Sequence, residues 1–204
     1  MKKTETRNMI IQTSRKLFME LGYRAVSTRQ IADTCGITQP ALYHHFSGKT
    51  ELYVEVIRSV SLETKQSMDE ILAQNLSTEK CLLKVVSYMI KHHPNDLTQM
   101  FHDIQHELPE PAQKQIQVWW HEAYLYPMIE VFKKGFTDGS LRDPQASGYT
   151  PTVCARLLMT LINHALSSTI FTIGKETKAS ERSEEAAKKI ISFFLYGFAS
   201  DSIH

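Results

Sequence analysis

A glycine set between two helix-start signals, within residues 27–46 (STRQIADTCGITQPALYHHF), restricts the fold more strongly than any other feature. Ser27 or Thr28 can cap one short helix, and Thr38 can cap a second. Gly36 stands between them, where its tolerance of positive φ allows a sharp turn. Four further residues are expected to pack inward: Ile31, Ala32, Cys35 and Ile37. The segment therefore predicts two short helices joined by a tight turn, which is the helix-turn-helix arrangement.

Apolar residues continue at helical spacing through the rest of the chain, and no segment alternates as a strand would. A first helix has one face made of Ile10, Ser14, Leu17, Phe18 and Leu21, and Gly22 can stop it. The helix after the helix-turn-helix is expected to begin near Lys49 and to run to Ile71 or beyond. More helices are predicted over residues 78–91, 95–107, 112–136, 152–173 and 181–198, with breaks at Pro94, at Pro109 and Pro111, and over 137–151. The fold class is therefore all-α, with about nine helices in total.

Basic side chains are concentrated at the N-terminus, although the whole chain carries a formal net charge of only +1. Residues 1–50 hold eight Lys and Arg against three Asp and Glu, a net charge of +5, which leaves −4 for residues 51–204. This asymmetry is expected when only one part of a chain meets an anionic partner. We therefore predict an N-terminal three-helix domain over residues 1–48 and a larger helical domain over residues 49–204.

The start of the second short helix is predicted to read double-stranded DNA, because this end of the helix enters the major groove in a helix-turn-helix. Thr38 and Gln39 can reach base edges there, and a glutamine amide matches the N6 and N7 atoms of adenine. Pro40 has no N–H to leave unpaired at a helix start, and Ala41 completes this predicted reading end. Flanking polar groups are expected to bind phosphates: Thr28, Tyr43, His44 and Lys49.

These residues resemble the TetR family of bacterial transcriptional regulators. The similar positions run from Thr28 to Leu52 and include Gly36, Thr38, Pro40, Leu42, Tyr43, His45, Phe46 and Lys49. The resemblance implies an all-helical homodimer, a ligand-binding and dimerisation domain in residues 49–204, and repression that ends when a small molecule binds. It suggests a repressor that leaves a palindromic operator when an unknown apolar or aromatic effector binds; activation stays open as the alternative.

Residues 117–131 concentrate Trp, Tyr and Met side chains on one helix, which indicates burial on more than one face. Core packing accounts for much of this segment. Lining of an effector pocket is the alternative, since Met and aromatic side chains give adaptable apolar walls. The candidate effector-binding residues are Phe101, His102, Gln105, Trp120 and Tyr124.

Two other kinds of site are weaker alternatives. His102 and His106 lie one helical turn apart beside Asp103, a spacing that leaves a metal-responsive site open, although such histidines are more often partly solvated or polar members of an apolar pocket. The three cysteines, Cys35, Cys81 and Cys154, are far apart and are expected to be free, buried thiols in a reducing cytosol. A redox-sensing thiol is the alternative to that interpretation.

No sequence signal favours an enzyme, a cofactor, a bound metal or a membrane span. Gly48, Lys49 and Thr50 end like a phosphate-binding loop, but Tyr43 stands where that motif needs glycine. The stretch over residues 157–173 is interrupted by polar side chains, so it is predicted to be a buried helix. The N-terminus has no apolar segment of a secretion signal, and we predict a cytoplasmic location. Two rival functions are considered. One is an enzyme whose N-terminal domain serves only as an anchor on DNA, and the other is an architectural protein that binds DNA without sequence specificity.

The last two predicted helices carry more apolar residues than one buried face needs. One helix has Leu157, Leu158, Leu161, Ile162, Ala165 and Ile170, and the other has Ile190, Ile191, Phe193, Phe194, Gly197 and Phe198. Two such helices from each protomer can form a four-helix interface. We predict a homodimer through these helices, with a monomeric core as the alternative.

Overall fold

The computed structural model describes residues 3–92, 97–142, 148–167 and 179–197, and these residues form helices without any strand. The helices are α1 (Lys3–Ala25), α2 (Thr28–Thr34), α3 (Gln39–Tyr43), α4 (Lys49–Leu72), α5 (Thr78–His92), α6 (Leu97–Glu107), α7 (Glu110–Trp120), α8 (Tyr126–Thr137), α9 (Pro151–Ser167) and α10 (Ala179–Tyr196). A π-helical turn, His121–Leu125, connects α7 directly to α8. When that continuous run is taken as one helix, the described residues contain nine, and the predicted all-α fold is confirmed.

The chain divides into two compact units. Unit 1 comprises Met1–Thr64 and Thr98–Trp120, and so holds α1 to α3, most of α4, α6 after its first residue, and α7. Unit 2 comprises Lys65–Leu97 and His121–His204, and so holds the end of α4, α5 and the helices from the π-helical turn onward. The functional division into a DNA-binding domain (1–48) and a ligand-binding and dimerisation domain (49–204) stays a prediction.

The core of unit 1 joins the helix-turn-helix to α1, α4, α6 and α7. Its members, drawn from all of these helices, include Ile10, Phe18, Val26, Ile31, Leu42, Phe46, Leu52, Val56, Ile104, Leu108 and Ile116. The aromatic rings of Phe18 and Tyr53 meet edge to face with centroids 4.9 Å apart, and Tyr23 lies 4.8 Å from Tyr53. Such ring pairs add to the stabilisation that burial alone provides.

The end of α1 departs from the predicted pattern at one residue. Gly22 has φ 78° and interrupts the helical conformation, as the sequence predicts. Leu21, which the sequence pattern groups on one face with Ile10 and Phe18, is however 49% exposed. Because Gly22 redirects the chain immediately afterwards, Tyr23 fills the core beside Phe18 instead.

The long helix predicted over residues 112–136 is interrupted by the π-helical turn. Pro127 follows that turn within the first residues of α8. Proline cannot donate a helical hydrogen bond, and its ring collides with the carbonyl four residues earlier. Insertion of a π turn is one way to relieve such a conflict in a continuous helix, which explains why the single predicted helix has two α-helical parts.

The core of unit 2 is formed by α5, α8, α9 and α10. Its fully buried members include Leu82, Val85, Val86, Met128, Phe132, Leu158, Ile162, Ala187 and Ile190. Cys81 is buried, whereas Cys154 in unit 2 and Cys35 in unit 1 are half-buried, and all three thiols are free. No helix among the described residues is long and apolar enough to cross a membrane.

Candidate nucleic-acid interface

Local hydrogen bonds build the turn between α2 and α3. The Ser27 side chain caps α2 by accepting from the Gln30 backbone N–H at 3.1 Å. At the other end of α2, the N–H of Ile37 donates to the carbonyl of Ala32 at 3.0 Å. Gly36, with φ +66°, lies between them in the left-handed conformation. This is the Schellman arrangement, in which glycine is preferred because it has no Cβ.

Thr38 caps α3, accepting from the backbone N–H of Ala41 at 3.3 Å. Pro40 occupies the first turn of α3 and is exposed, whereas Ala41 is half-buried. Leu42 and Phe46 anchor the short helix and the residues after it in the core. The end of α3 that is predicted to contact bases therefore lies at the surface of unit 1, and buried Leu42 and Phe46 hold the helix in place.

Three side chains that the sequence assigns to DNA binding are joined by hydrogen bonds. The hydroxyls of Thr28 and Tyr43 lie 3.1 Å apart. The amide nitrogen of Gln39 donates to the Thr28 hydroxyl at 3.0 Å and to the Tyr43 hydroxyl at 3.3 Å. The network links the first residue of α2 to both ends of α3, so it orients Gln39 before any partner arrives. His44, at the C-cap of α3, is exposed beside the network.

The Lys49 side chain is half-buried. Its ammonium lies 4.2 Å from the centre of the Tyr23 ring and donates to the carbonyl of Arg24 at 3.5 Å. Partial burial lowers the pKa of Lys49, while the negative charges of Glu107 and Asp103 act in the opposite direction. A cation over an aromatic face is attracted by the ring, so Lys49 contributes to packing in unit 1.

The basic excess of residues 1–50 is partly neutralised in space. Three of its arginines form ion pairs with acids from later helices, namely Arg7 with Glu55, Arg15 with Glu63 and Arg24 with Glu107. Unit 1 as a whole has ten basic and nine acidic side chains, a net charge of +1. A local charge count in the sequence therefore overstates the charge available to phosphates.

The five predicted effector residues are divided between the two units, with four in unit 1 and Tyr124 in unit 2. Phe101 and Trp120 meet edge to face with ring centroids 6.3 Å apart, and both are half-buried. His102 and Gln105 are exposed. Tyr124 is buried and belongs to unit 2. The structure thus brings Phe101 and Trp120 into contact within unit 1.

The predicted histidine pair is present but incomplete as a metal site. The rings of His102 and His106 are 4.4 Å apart, and the His102 Nδ1 lies 3.9 Å from an oxygen of Asp103. In the part of the chain that the structure describes, no three His, Cys, Asp or Glu side chains are grouped so that they could hold a metal ion.

Unit 2 contains a cavity of about 700 Å³ that sequence reasoning did not find. Its apolar wall comes from Phe132, Phe136, Leu141, Leu157 and Phe194, and its polar groups include Ser77, Thr78, Glu79, Ser140 and Arg142. Ser140 and Thr78 bond to each other through their hydroxyls at 2.7 Å. The cavity combines loop residues 140–142 with residues of four helices, α5, α8, α9 and α10, and no local motif predicts such an assembly.

The helix-turn-helix segment is similar in sequence to known bacterial regulators. Residues 10–56 match the model of the bacterial regulatory proteins of the tetR family. The HTH-type transcriptional activator FasR of Mycolicibacterium smegmatis is 39% identical over 54 residues, which are 26% of this chain and 25% of FasR. The HTH-type transcriptional repressor KstR2 of Rhodococcus jostii is 33% identical over 85 residues, 42% of each chain. The chain thus covers less than half the length of these two relatives.

The similarity of fold extends over nearly the whole chain. The fatty acid degradation regulator FadR of Bacillus halodurans superposes with a TM-score of 0.74 and 15% identity, covering 97% of this chain and 98% of FadR. FadR of Bacillus subtilis, solved in complex with stearoyl-CoA, gives a TM-score of 0.73 and 14% identity over 94% of this chain and 98% of FadR. The sequence similarity to the tetR family of bacterial regulatory proteins thus covers residues 10–56, and the similarity to the solved FadR structures is one of fold.

Proposed function

We propose that the chain is a sequence-specific, DNA-binding transcriptional regulator, and that it acts as a repressor on a palindromic operator in the cytoplasm. The observation that carries this proposal is the hydrogen-bonded network of Gln39, Thr28 and Tyr43 at the exposed end of α3. Thr38 and Gln39 would read base edges there, with Pro40 and Ala41 beside them. Thr28, Tyr43, His44 and Lys49 would bind phosphates and fix the register.

Two other features support specific reading over general attraction to DNA. Unit 1 has a net charge of only +1, whereas non-specific binding depends on the neutralisation of many phosphates. The relatives that match in sequence are named transcriptional regulators and not enzymes. Both features disfavour the two rival functions, an architectural DNA protein and an enzyme with a DNA anchor.

The direct test is selection of binding sites from random duplex DNA with the full chain. We expect the selected sequences to converge on a palindrome whose half-sites are about 10 base pairs apart or a multiple of that spacing, since two heads would enter successive major grooves. Recovery of no common sequence would contradict specific reading. Binding of equal strength to every duplex would instead favour the architectural alternative.

We also propose a homodimer through α9 and α10, because their outer faces are unusually apolar. Val153, Leu157, Phe193 and Tyr196 are exposed apolar side chains on these two helices, and α10 also carries half-buried Phe194. Of the residues predicted for this interface, Leu158, Ile162, Ile190 and Ile191 are buried within unit 2, while the Ala165 side chain, Ile170 and Phe198 lie outside the described part. Exposed apolar residues on adjacent elements are typical of an interface.

Light scattering of the purified chain tests the dimer. Leu157→Glu and Phe193→Glu are expected to produce monomers at micromolar concentration, because each places a charge on the proposed interface. Thr152→Glu is a matched control, since Thr152 is also exposed on α9 but lies five residues away on another side of the helix. A monomeric wild-type chain would overturn the proposal.

An effector that releases the DNA is the third part of the proposal. FadR of Bacillus subtilis was solved with stearoyl-CoA, so acyl-CoA thioesters are the first class to test here, beside aromatic compounds. The cavity of unit 2 and the contact between Phe101 and Trp120 are apolar places to examine. Calorimetry with a series of acyl-CoA chain lengths, and with free coenzyme A as the control, measures binding. Binding that leaves the affinity for DNA unchanged would contradict the effector role.

A further inference from the structure

The corner between α1 and α2 is held by a side chain that is 80 residues away in sequence. Gly22 is non-helical, so the backbone N–H of Tyr23 leaves the helical pattern of α1. That N–H donates to the Asp103 carboxylate on α6 at 2.9 Å. Both groups belong to unit 1.

The Asp103 carboxylate is only 1% exposed. A buried carboxylate is strongly unfavourable unless it is hydrogen-bonded or paired with positive charge. The Tyr23 N–H supplies one hydrogen bond, and the ammonium of Lys49 is close enough to interact with the charge of Asp103. The buried charge of Asp103 is therefore stabilised in part by the Tyr23 N–H, which can donate to it because the chain leaves the helical conformation at Gly22.

A second acid on the same helix contacts the next residue of the corner. Glu107 follows Asp103 by one helical turn, and its Oε1 accepts from the Arg24 Nε at 2.7 Å. Lys49 approaches the same corner from α4, where it bonds the Arg24 carbonyl. The corner is thus held by α6 through Asp103 and Glu107, and by α4 through Lys49.

The corner connects directly to the elements that would meet DNA. Three residues after Tyr23, Val26 is buried, and Ser27 then caps α2. The Tyr23 hydroxyl also lies 3.0 Å from the hydroxyl of Thr50 in the first turn of α4. Displacement of Tyr23 would consequently shift both the start of α2 and its contact with α4.

We propose that Asp103 is a positioning residue for DNA binding, which fixes the α1–α2 corner through Tyr23 and so sets where α3 stands on the duplex. This inference rests on the proposed function. It gives α6 a part in reading DNA although no α6 side chain would touch the duplex. The effect acts through geometry, because a shift at the corner misaligns the Gln39 network with the base edges.

Because Asp103 is negatively charged, an electrostatic role and a positioning role predict opposite changes in DNA affinity when the carboxylate is removed. Removal of a carboxylate near DNA should strengthen binding if its only influence were electrostatic repulsion of phosphates. The positioning role predicts the opposite. Asp103→Ala leaves the Tyr23 N–H without its acceptor, and Asp103→Asn keeps an acceptor oxygen of similar size while it removes the charge. Glu110→Ala and Glu110→Gln are matched controls, since Glu110 is an exposed carboxylate of unit 1 that pairs with Lys114 at the surface.

The experiment measures affinity for the duplex that the wild-type chain selects and for an unrelated duplex of equal length. Asp103→Ala is expected to bind the selected duplex roughly tenfold more weakly, the order of one lost buried hydrogen bond to a charged group. Asp103→Asn should lose less, and binding to the unrelated duplex should change by less than about twofold in every variant. Hydrogen exchange is expected to speed up at residues 23–26 of Asp103→Ala, with α5 unaffected.

Each outcome decides the inference. Unchanged exchange at Tyr23 in both Asp103 variants would overturn the corner role, and unchanged affinity for the selected duplex would overturn the positioning role. If Asp103→Ala does not fold, the same two measurements on Asp103→Asn decide, with a smaller loss expected. If the wild-type chain selects no duplex, the proposed function itself fails, and that result is distinct from a selected duplex that wild type and variants bind equally.

Discussion

The hydroxyl oxygens of Thr28 and Tyr43 lie 3.1 Å apart and join the first residue of α2 to the last residue of α3. The amide of Gln39 donates to both, so the three side chains act as one group. Tyr43 is nonetheless 47% exposed, which leaves it accessible to a phosphate. A network that is formed in the free protein reduces the ordering that DNA binding requires.

Substitutions in this network are expected to distinguish the side chain that contacts bases from those that contact phosphates. Gln39→Ala should change which base pairs are preferred, because a well-placed amide contributes about 1–3 kcal/mol of discrimination between bases. Tyr43→Phe should lower affinity for all duplexes by about 0.5–1.5 kcal/mol, because it removes one hydroxyl hydrogen bond. Thr28→Val and Tyr43→Phe should each relax the preference only in part, since each leaves Gln39 with one of its two partners. Selection from random duplexes, followed by titration on the selected sites, measures all three.

Gln12→Ala is the control for these variants, because Gln12 is an exposed glutamine on α1. It should leave both affinity and preference at the wild-type level. An equal loss of preference from Gln39→Ala and Tyr43→Phe would contradict the separate roles.

The turn between α2 and α3 was predictable because each of its determinants is local. Ser27 and Thr38 cap helices through bonds that span three residues, and Gly36 adopts the positive φ that its position requires. The contact of Tyr23 with Asp103 has no such local signal, since its two partners are 80 residues apart. The arginine ion pairs likewise have no local signal, because their acidic partners lie far along the chain. The net charge of residues 1–50 was for this reason a poor guide to the net charge of unit 1.

A second local element gives a pH-dependent prediction. The Glu51 carboxylate accepts from both the backbone N–H and the hydroxyl of Ser47 at 2.6 Å, which caps the start of α4. These two bonds, with a smaller contribution from the charge of Arg7, lower the pKa of Glu51 from its usual 4.5. A depressed pKa in the folded state means that the ionised carboxylate stabilises the fold above pH 4.5, and that this contribution is lost as pH falls through the folded pKa.

Glu51→Gln is therefore expected to lower the free energy of unfolding at pH 7 by about 0.5–1 kcal/mol, the range of a partly exposed helix cap. The difference from wild type should shrink below pH 4.5, because protonation removes the same charge from the native side chain. Urea denaturation at a series of pH values measures this difference. Glu20→Gln is the control, as Glu20 is an exposed acid on α1. A difference that stays constant from pH 7 to pH 3 would show that the charge of Glu51 has no part in the cap.

The buried thiol of unit 2 is expected to be unreactive. Burial raises the pKa of Cys81 above its usual value, although the nearby charges of Lys134 and Lys84 act in the opposite direction. Because the thiolate is the reactive form, both the raised pKa and the lack of access slow modification. Iodoacetamide at neutral pH should label Cys81 more slowly than the half-buried Cys154, as followed by mass spectrometry. Labelling of native Cys81 as fast as in denatured protein would instead support the redox-sensing alternative.

Two residues that line the cavity of unit 2, Leu141 and Thr78, pack closely against Gly135, which does not itself line the cavity. Gly135 is a buried helical residue of α8, and a Cβ built on it would lie 2.7 Å from the Leu141 Cδ1 and 2.8 Å from the Thr78 Cγ2. The missing side chain lets the turn at Leu141 and the start of α5 pack directly on α8. Ser140 and Thr78, which bond to each other there, are held together by this contact.

Gly135→Ala is consequently expected to destabilise the fold by about 1–3 kcal/mol, the usual effect of overpacking. The sign is informative, because Gly→Ala within a helix otherwise stabilises by about 0.5–1 kcal/mol. Gly48→Ala is the matched control, since a Cβ at Gly48 would meet nothing within 4 Å and its φ is not positive. Chemical denaturation compares the two variants with wild type. A Gly135→Ala protein as stable as wild type would mean that Leu141 and Thr78 can move away, and that the wall of the cavity next to α5 is adjustable.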